Sequence, residues 1–121
     1  MVRLESLKKS NHFRKVLKEK KIHTECFSIF AAKNFFKPKY KTNIIMSFVM
    51  KKKIGNAVKR NKIRRKLKAI VQKLLKKRGA INMDYTYIVF GKSNAYAQKQ
   101  NLLLPLMEKS FSKLKNRLQK F

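Results

Sequence analysis

The stretch from Gly55 to Lys68 reads GNAVKRNKIRRKLK, and it organises the rest of the chain. Gly55 interrupts the apolar run before it, and Asn56 is a residue type that commonly caps the first turn of a helix. The stretch therefore predicts a helix start. Seven Lys or Arg side chains follow between Lys59 and Lys68, although the N-terminal end of a helix dipole disfavours cations. Local stability does not explain this arrangement, whereas an external polyanion does.

An apolar stripe anchors the predicted helix. At about 100° per residue, one face collects the apolar side chains. These are Ile63, Leu67, Ile70, Val71 and Leu74. The polar side chains on or beside the opposite face are Asn61, Lys62, Arg65 and Lys68. The helix is expected to reach about Arg78 and to end at Gly79, a residue type common just after a helix.

The flanking segments alternate between helix and strand patterns. Ser10 or Asn11 is expected to cap a short helix that reaches about Lys20, and a last helix is expected to begin near Pro105. Alternating apolar residues predict strands over residues 22–32, 43–50 and 85–90. A break near residues 22–25 would split the first of these in two. The 43–50 strand is apolar on both faces, so it is expected to be central in the sheet.

The order of these elements predicts the fold class. Helix, two or three strands, helix, strand and helix together indicate an α+β domain with two layers. No internal repeat or long linker divides the chain, and 121 residues are a usual length for one domain. Residues 1–121 are therefore predicted to form a single domain.

The charge of the chain points to a polyanionic partner. Lys and Arg number 33 against 5 acidic residues, which gives a formal net charge of +28. No Asp or Glu lies between Glu25 and Asp84. A domain this basic carries the electrostatic footprint of a nucleic-acid-binding protein. An anionic membrane surface is the competing interpretation, and an incidental basic surface is a third.

Other features bear on compartment and membrane. No apolar run approaches the roughly 18 residues that a membrane-spanning helix needs, and residues 1–11 lack the apolar core of a signal peptide. Cys26 is the single cysteine, so an internal disulfide is impossible and a buried, small apolar role is expected for it. A cytoplasmic protein without a membrane partner is the simplest prediction.

Catalysis by the protein itself is not expected. The acidic residues are scattered, and neither His12 nor His23 lies in a pattern typical of metal ligands. Three glycines are too few for a glycine-rich phosphate loop. We therefore predict no catalytic residue and no metal ligand in the protein, and no small-molecule substrate.

Three apolar residues are candidates for contacting unpaired bases. Phe13, Leu17 and Phe30 would line a groove between the first helix and the sheet, where aromatic rings stack on bases. Ordinary core packing is the alternative for all three, because apolar stripes at helical spacing usually pack inward.

The segment around the basic helix resembles a known family. Residues 52–58, KKIGNAV, followed by residues 59–65, KRNKIRR, closely resemble the signature of the bacterial ribonuclease P protein subunit. The flanks agree in order, with Leu7-Lys8-Lys9 before the first helix, Phe27 to Ala31 in a strand, and Asp84 to Val89 in the strand after the basic helix. The resemblance spans nearly the whole chain.

The resemblance implies a function and a fold. The protein would be the small subunit of a ribonucleoprotein whose catalytic RNA removes the 5′ leader of precursor tRNA. Magnesium would be held mainly by that RNA. The implied order is αβββαβα, with a four-stranded mixed sheet and a left-handed βαβ crossover, contrary to the usual hand of such connections. The alternative is a structural RNA-binding protein, such as a ribosomal component.

The resemblance also implies two sets of site residues. Those expected to bind the RNA subunit are Lys52, Lys53, Asn56, Arg60, Asn61, Lys62, Arg64, Arg65 and Lys68. Those expected to bind the leader are Phe13, Leu17 and Phe30. Lys62 stands where the family usually has Arg, and so lacks the planar bidentate grip of a guanidinium. Leu17 stands where many relatives have Phe, which weakens stacking there.

Overall fold

The computed structural model describes residues 2–40 and 42–118, and within them it contains five strands and three α-helices. In chain order these are β1 (Leu4–Glu5), α1 (Ser10–Leu17), β2 (Lys20–His23), β3 (Phe27–Lys33), β4 (Ile44–Val49), α2 (Ala57–Leu75), β5 (Tyr85–Gly91) and α3 (Gln100–Leu118). Short 3-10 turns at Lys52–Ile54 and Ser93–Ala95 precede α2 and α3. The predicted α+β class is confirmed.

The strands form one mixed sheet in the order β1-β4-β5-β3-β2. β4 pairs in parallel with β1 and with β5, whereas β3 pairs antiparallel with β5 and β2. In the β3–β5 pair, Phe30 lies opposite Ile88 and Ser28 lies opposite Phe90. Because α2 connects the parallel neighbours β4 and β5, the expected βαβ crossover is present, while its hand stays a prediction.

One face of the sheet packs against α2 and α3. Every residue of the predicted apolar stripe, from Ile63 to Leu74, is fully buried, and the stripe packs with α3 and with alternate strand residues into the larger core. The strand residues are Phe27, Ile29, Ala31, Ile44, Met46, Tyr87 and Val89. This face anchors α2 and leaves its other side free to carry charge.

The opposite face of the sheet is covered only in part. α1 buries Val16 against Ile45 and Ile88 in a second, smaller core, and the backbone N–H of Leu7 donates to Ser47 Oγ at 2.7 Å. Helices therefore lie on both faces of the sheet. The predicted arrangement of two layers was incomplete, because α1 adds a partial third layer. Half-buried Phe30 and Phe90 remain accessible beside α1.

The sheet has one strand more than the four expected. The added strand, β1, is only two residues long and pairs with the edge of β4. β4 was expected to be central, and it does lie inside the sheet between β1 and β5. The anticipated break near residues 22–25 is real. Thr24 Oγ1 accepts from the backbone N–H groups of Cys26 and Phe27, and this turn separates β2 from β3.

Four predicted helix boundaries were wrong. α1 ends at Leu17 rather than at about Lys20, because Lys20 already begins β2. α1 begins after Lys9, which has no side-chain cap, rather than after a capping Ser10 or Asn11. α2 ends at Leu75, and Gly79 lies beyond it with a φ of 78°. α3 begins at Gln100 because the Lys99 carbonyl accepts the first N–H groups of the helix, so Pro105 lies inside it.

Candidate nucleic-acid interface

Gly55 lies between the 3-10 turn that follows β4 and the start of α2. Gly55 has a φ of 154°, a conformation that side chains disfavour. Asn56 Oδ1 then accepts from the backbone N–H of Lys59 at 2.9 Å, which confirms the predicted N-cap of α2. Asn56 is exposed, but its oxygen is engaged in the cap, so only its amide N–H₂ group is available to a partner.

The nine residues expected to bind the RNA subunit lie on the 3-10 turn at Lys52–Ile54, at the Asn56 N-cap, or on α2 as far as Lys68. Eight of them are exposed, and Arg60 is half-buried. Among the residues that the structure describes, the buried Nε of Arg60 has no hydrogen-bond partner. The structure therefore brings the nine together on one surface, called the α2 surface below, while their contacts with RNA stay a prediction.

Local contacts order part of the α2 surface. Arg64 Nη1 donates to Asn61 Oδ1 at 2.9 Å, one turn apart on the helix. The ammonium groups of Lys59 and Lys62 lie 5.2 and 4.8 Å from the centre of the Tyr96 ring. The Tyr96 ring therefore attracts both ammonium groups, which offsets part of the repulsion between Lys59 and Lys62.

Lys66 has a different role from its neighbours. Its Nζ donates to the backbone carbonyls of Ala95, Tyr96 and Gln98, so it fastens the turn before α3 to α2. Burial lowers the pKa of Lys66, and the nearby charge of Lys62 adds to this. The sequence offers no signal for this role, because the three carbonyls lie about 30 residues away along the chain.

A cleft of about 660 Å³ lies on the sheet face that α1 leaves open. Its apolar lining consists of Leu17, Phe30, Ile54 and Phe90. The rings of Phe30 and Phe90 meet edge to face, with 5.5 Å between their centres. Such partly exposed rings can stack on unpaired bases.

Cationic side chains surround this apolar lining. Lys51, Lys53 and Lys92 line the same cleft, and the Lys51 ammonium lies 5.6 Å from the centre of the Phe90 ring. Lys92 Nζ also donates to the carbonyl of Thr24 at 2.7 Å. Apolar rings between ammonium groups suit a single-stranded nucleic acid whose bases stack on the rings while its phosphates lie at the rim of the cleft.

Of the three predicted leader-binding residues, two line the cleft. Leu17 and Phe30 do, whereas Phe13 is not among its lining residues and is half-buried in the smaller core, one turn earlier on α1. Sequence reasoning missed Phe90. Alternation along β5 places Phe90 on the same face as Ile88, but only the β3–β5 register brings it beside Phe30.

Within residues 2–40 and 42–118, no group of three His, Cys, Asp or Glu side chains is placed to hold a metal ion. Cys26 is buried, and burial raises the pKa of its thiol. No helix in these residues is long and apolar enough to cross a membrane.

The model of the ribonuclease P family matches residues 1–115. The chain belongs to the ribonuclease P protein family. Membership places it in an endoribonuclease ribonucleoprotein with an RNA partner, and it does not favour the ribosomal alternative. Among curated proteins, none matches the chain significantly.

Solved structures share the fold. The RNase P protein from Thermotoga maritima superposes with a TM-score of 0.71 at 20% sequence identity, covering 90% of this chain and 96% of that one. The RNase P protein of Staphylococcus aureus gives a TM-score of 0.66 at 19% identity, covering 94% of each chain. These likenesses confirm the α+β fold with its mixed sheet and three helices.

Proposed function

We propose that this ribonuclease P family chain uses its two surfaces for two RNAs. The α2 surface binds the catalytic RNA subunit, and the cleft binds the single-stranded 5′ leader of precursor tRNA. The RNA subunit performs the cleavage and holds the magnesium ions. The protein contributes binding and positioning.

One observation carries this proposal, namely that the two surfaces meet at the 3-10 turn before α2. Lys53 belongs to the α2 surface and also lines the cleft, and Ile54 lines the cleft directly before Gly55 starts the helix. An RNA bound along α2 would therefore lie next to a single-stranded RNA bound in the cleft. This adjacency suits a ribonucleoprotein in which the leader of the bound precursor tRNA leaves the cleavage site beside the RNA subunit.

The physical benefit is electrostatic. Two RNAs repel each other, and a chain with a net charge of +28 reduces that repulsion by placing ammonium and guanidinium groups between them. Neutralising about 6 phosphates of a single strand gives a log–log salt slope near −4. The Phe30–Phe90 pair adds stacking, which depends only weakly on salt.

The test is multiple-turnover cleavage of precursor tRNA by the RNA subunit at low magnesium concentration, with and without this protein. We expect the protein to increase affinity for precursor tRNA more than for mature tRNA, because only the precursor has a leader for the cleft. If the protein changes neither affinity nor rate, the proposal is wrong. If it raises both affinities equally, the leader-binding part is wrong.

A further inference from the structure

A second groove, of about 440 Å³, lies where the edge strand β2 meets α3. β2 contributes Lys21 and His23, and α3 contributes Lys109 and Lys113. We call these residues and their surroundings the edge groove. It lies outside the α2 surface, and none of the residues predicted to bind RNA lines it.

The edge groove is strongly cationic. Lys109 and Lys113 are exposed and one turn apart on α3, where like charges weaken a helix. The neighbouring carboxylate of Glu108 does not line the groove, since it pairs with Lys77 of α2 at 2.9 Å. Glu25, in the β2–β3 turn, is not a lining residue either. An anionic partner would relieve the repulsion between the two α3 lysines.

The edge groove and the cleft share one lining residue. His23 lines both of them, and its ring is held by a 2.6 Å hydrogen bond between Nδ1 and Ser28 Oγ. The ring also lies edge to face with Phe30, 5.8 Å between centres. A leader that leaves the cleft past His23 and passes the edge of β2 would therefore enter the groove that Lys109 and Lys113 line.

We propose that the edge groove binds the phosphodiester backbone of single-stranded RNA where a long leader extends beyond the cleft. The inference rests on the proposed leader-binding function and lengthens its site. Lysine is a compact charge that contacts phosphates without a fixed geometry, and His23 is the one aromatic ring among the described residues that line the groove. Binding there is consequently independent of base sequence.

The experiment compares precursor tRNAs with leaders of about 4 and about 16 nucleotides, which span the usual site sizes of single-strand-binding folds. The variant is Lys109→Gln combined with Lys113→Gln. These side chains are exposed, so the fold is expected to persist, which circular dichroism checks. Affinity of the reconstituted ribonucleoprotein for each precursor is measured as a function of salt.

The expected result is weaker binding of the long-leader precursor alone. The salt slope for that precursor should become shallower by about 1.4, since each single-strand phosphate contact contributes about 0.7. The matched control is Lys37→Gln with Lys76→Gln, which removes the same charge from exposed positions that line neither the cleft nor the edge groove. We expect this control variant to change the affinities for the two precursors by the same factor.

Two outcomes overturn the inference. Unchanged binding of the long-leader precursor shows that the groove makes no contact, and an equal loss for both precursors shows a general charge effect or a contact with the RNA subunit. A Phe90→Ala variant separates these from failure of the proposed function. If it weakens both precursors but not the same tRNA without a leader, leader binding in the cleft stands whatever the edge groove does. If neither precursor responds to it, the leader-binding function itself fails.

Discussion

Replacing Phe90 by Ala tests the cleft most directly. The Phe90 ring is half-buried, packs edge to face on Phe30, and has the Lys51 ammonium 5.6 Å from its centre. It therefore offers an exposed apolar surface between cations. Phe90→Ala removes this surface and leaves the backbone of β5 and the lysines in place.

The magnitude follows from the geometry. One base stacked on an aromatic ring is worth about 1–3 kcal/mol, so leader affinity should fall by about 5- to 140-fold. The stability cost should stay below the roughly 3–5 kcal/mol of a fully buried Phe, because the ring is only half-buried. The lost ring pair with Phe30 accounts for about 0.5–1.5 kcal/mol of that cost.

The assay titrates the reconstituted ribonucleoprotein against precursor tRNA and against the same tRNA without a leader. Loss is expected for the precursor only. Tyr40→Ala is the matched control, since the Tyr40 ring is 59% exposed and lies outside the cleft lining. An undiminished precursor affinity, or an equal loss for both tRNAs with an intact thermal unfolding transition, would refute stacking at Phe90.

Three further perturbations follow from the structure. Arg65→Ala should weaken binding to the RNA subunit and make its salt slope shallower by about 0.9 for a helical phosphate, with an unchanged urea midpoint, since the side chain is exposed; a shifted midpoint would contradict this. Gly91→Ala should cost about 1–3 kcal/mol in urea unfolding, because a Cβ there would overlap Met50 Sδ; a neutral result would show that Met50 moves aside. Glu5→Gln should reduce the loss of melting temperature that the protein shows at acidic pH. The hydrogen bond from the backbone N–H of Lys39 is the main cause that lowers the Glu5 pKa. The ionised carboxylate therefore stabilises the fold at neutral pH, and this stabilisation is lost as pH falls below about 4.3. An identical loss in both proteins would contradict it.

Local patterns predicted α2 well. The stripe from Ile63 to Leu74 and the Asn56 cap are confirmed residue by residue, because helix periodicity and capping depend on neighbours within one or two turns. The predicted start of α3 was wrong for a related reason. Pro105 is a common helix-start signal, but the upstream carbonyl of Lys99 had already started the first turn.

The cleft could be predicted only in part. Alternation placed Phe30 on the correct face of β3, and helical spacing placed Leu17 on the correct side of α1. Phe90 was missed and Phe13 was included, because a cleft depends on which strands are neighbours and where each helix stops covering the sheet. The two-residue strand β1 was also missed, since it is too short for a periodic signal.

The sequence by itself determined the basic helix, its buried stripe, the α+β class and, through the run from Lys52 to Arg65, the family. Those features follow from contacts between close neighbours in the chain or from the identity of the residues themselves. Only the tertiary structure decided that Phe30 and Phe90 share a surface, that Lys53 joins it to α2, and that His23 lines a groove together with two α3 lysines. The physical reason is that strand register and helix packing depend on contacts between distant segments, which no local pattern encodes.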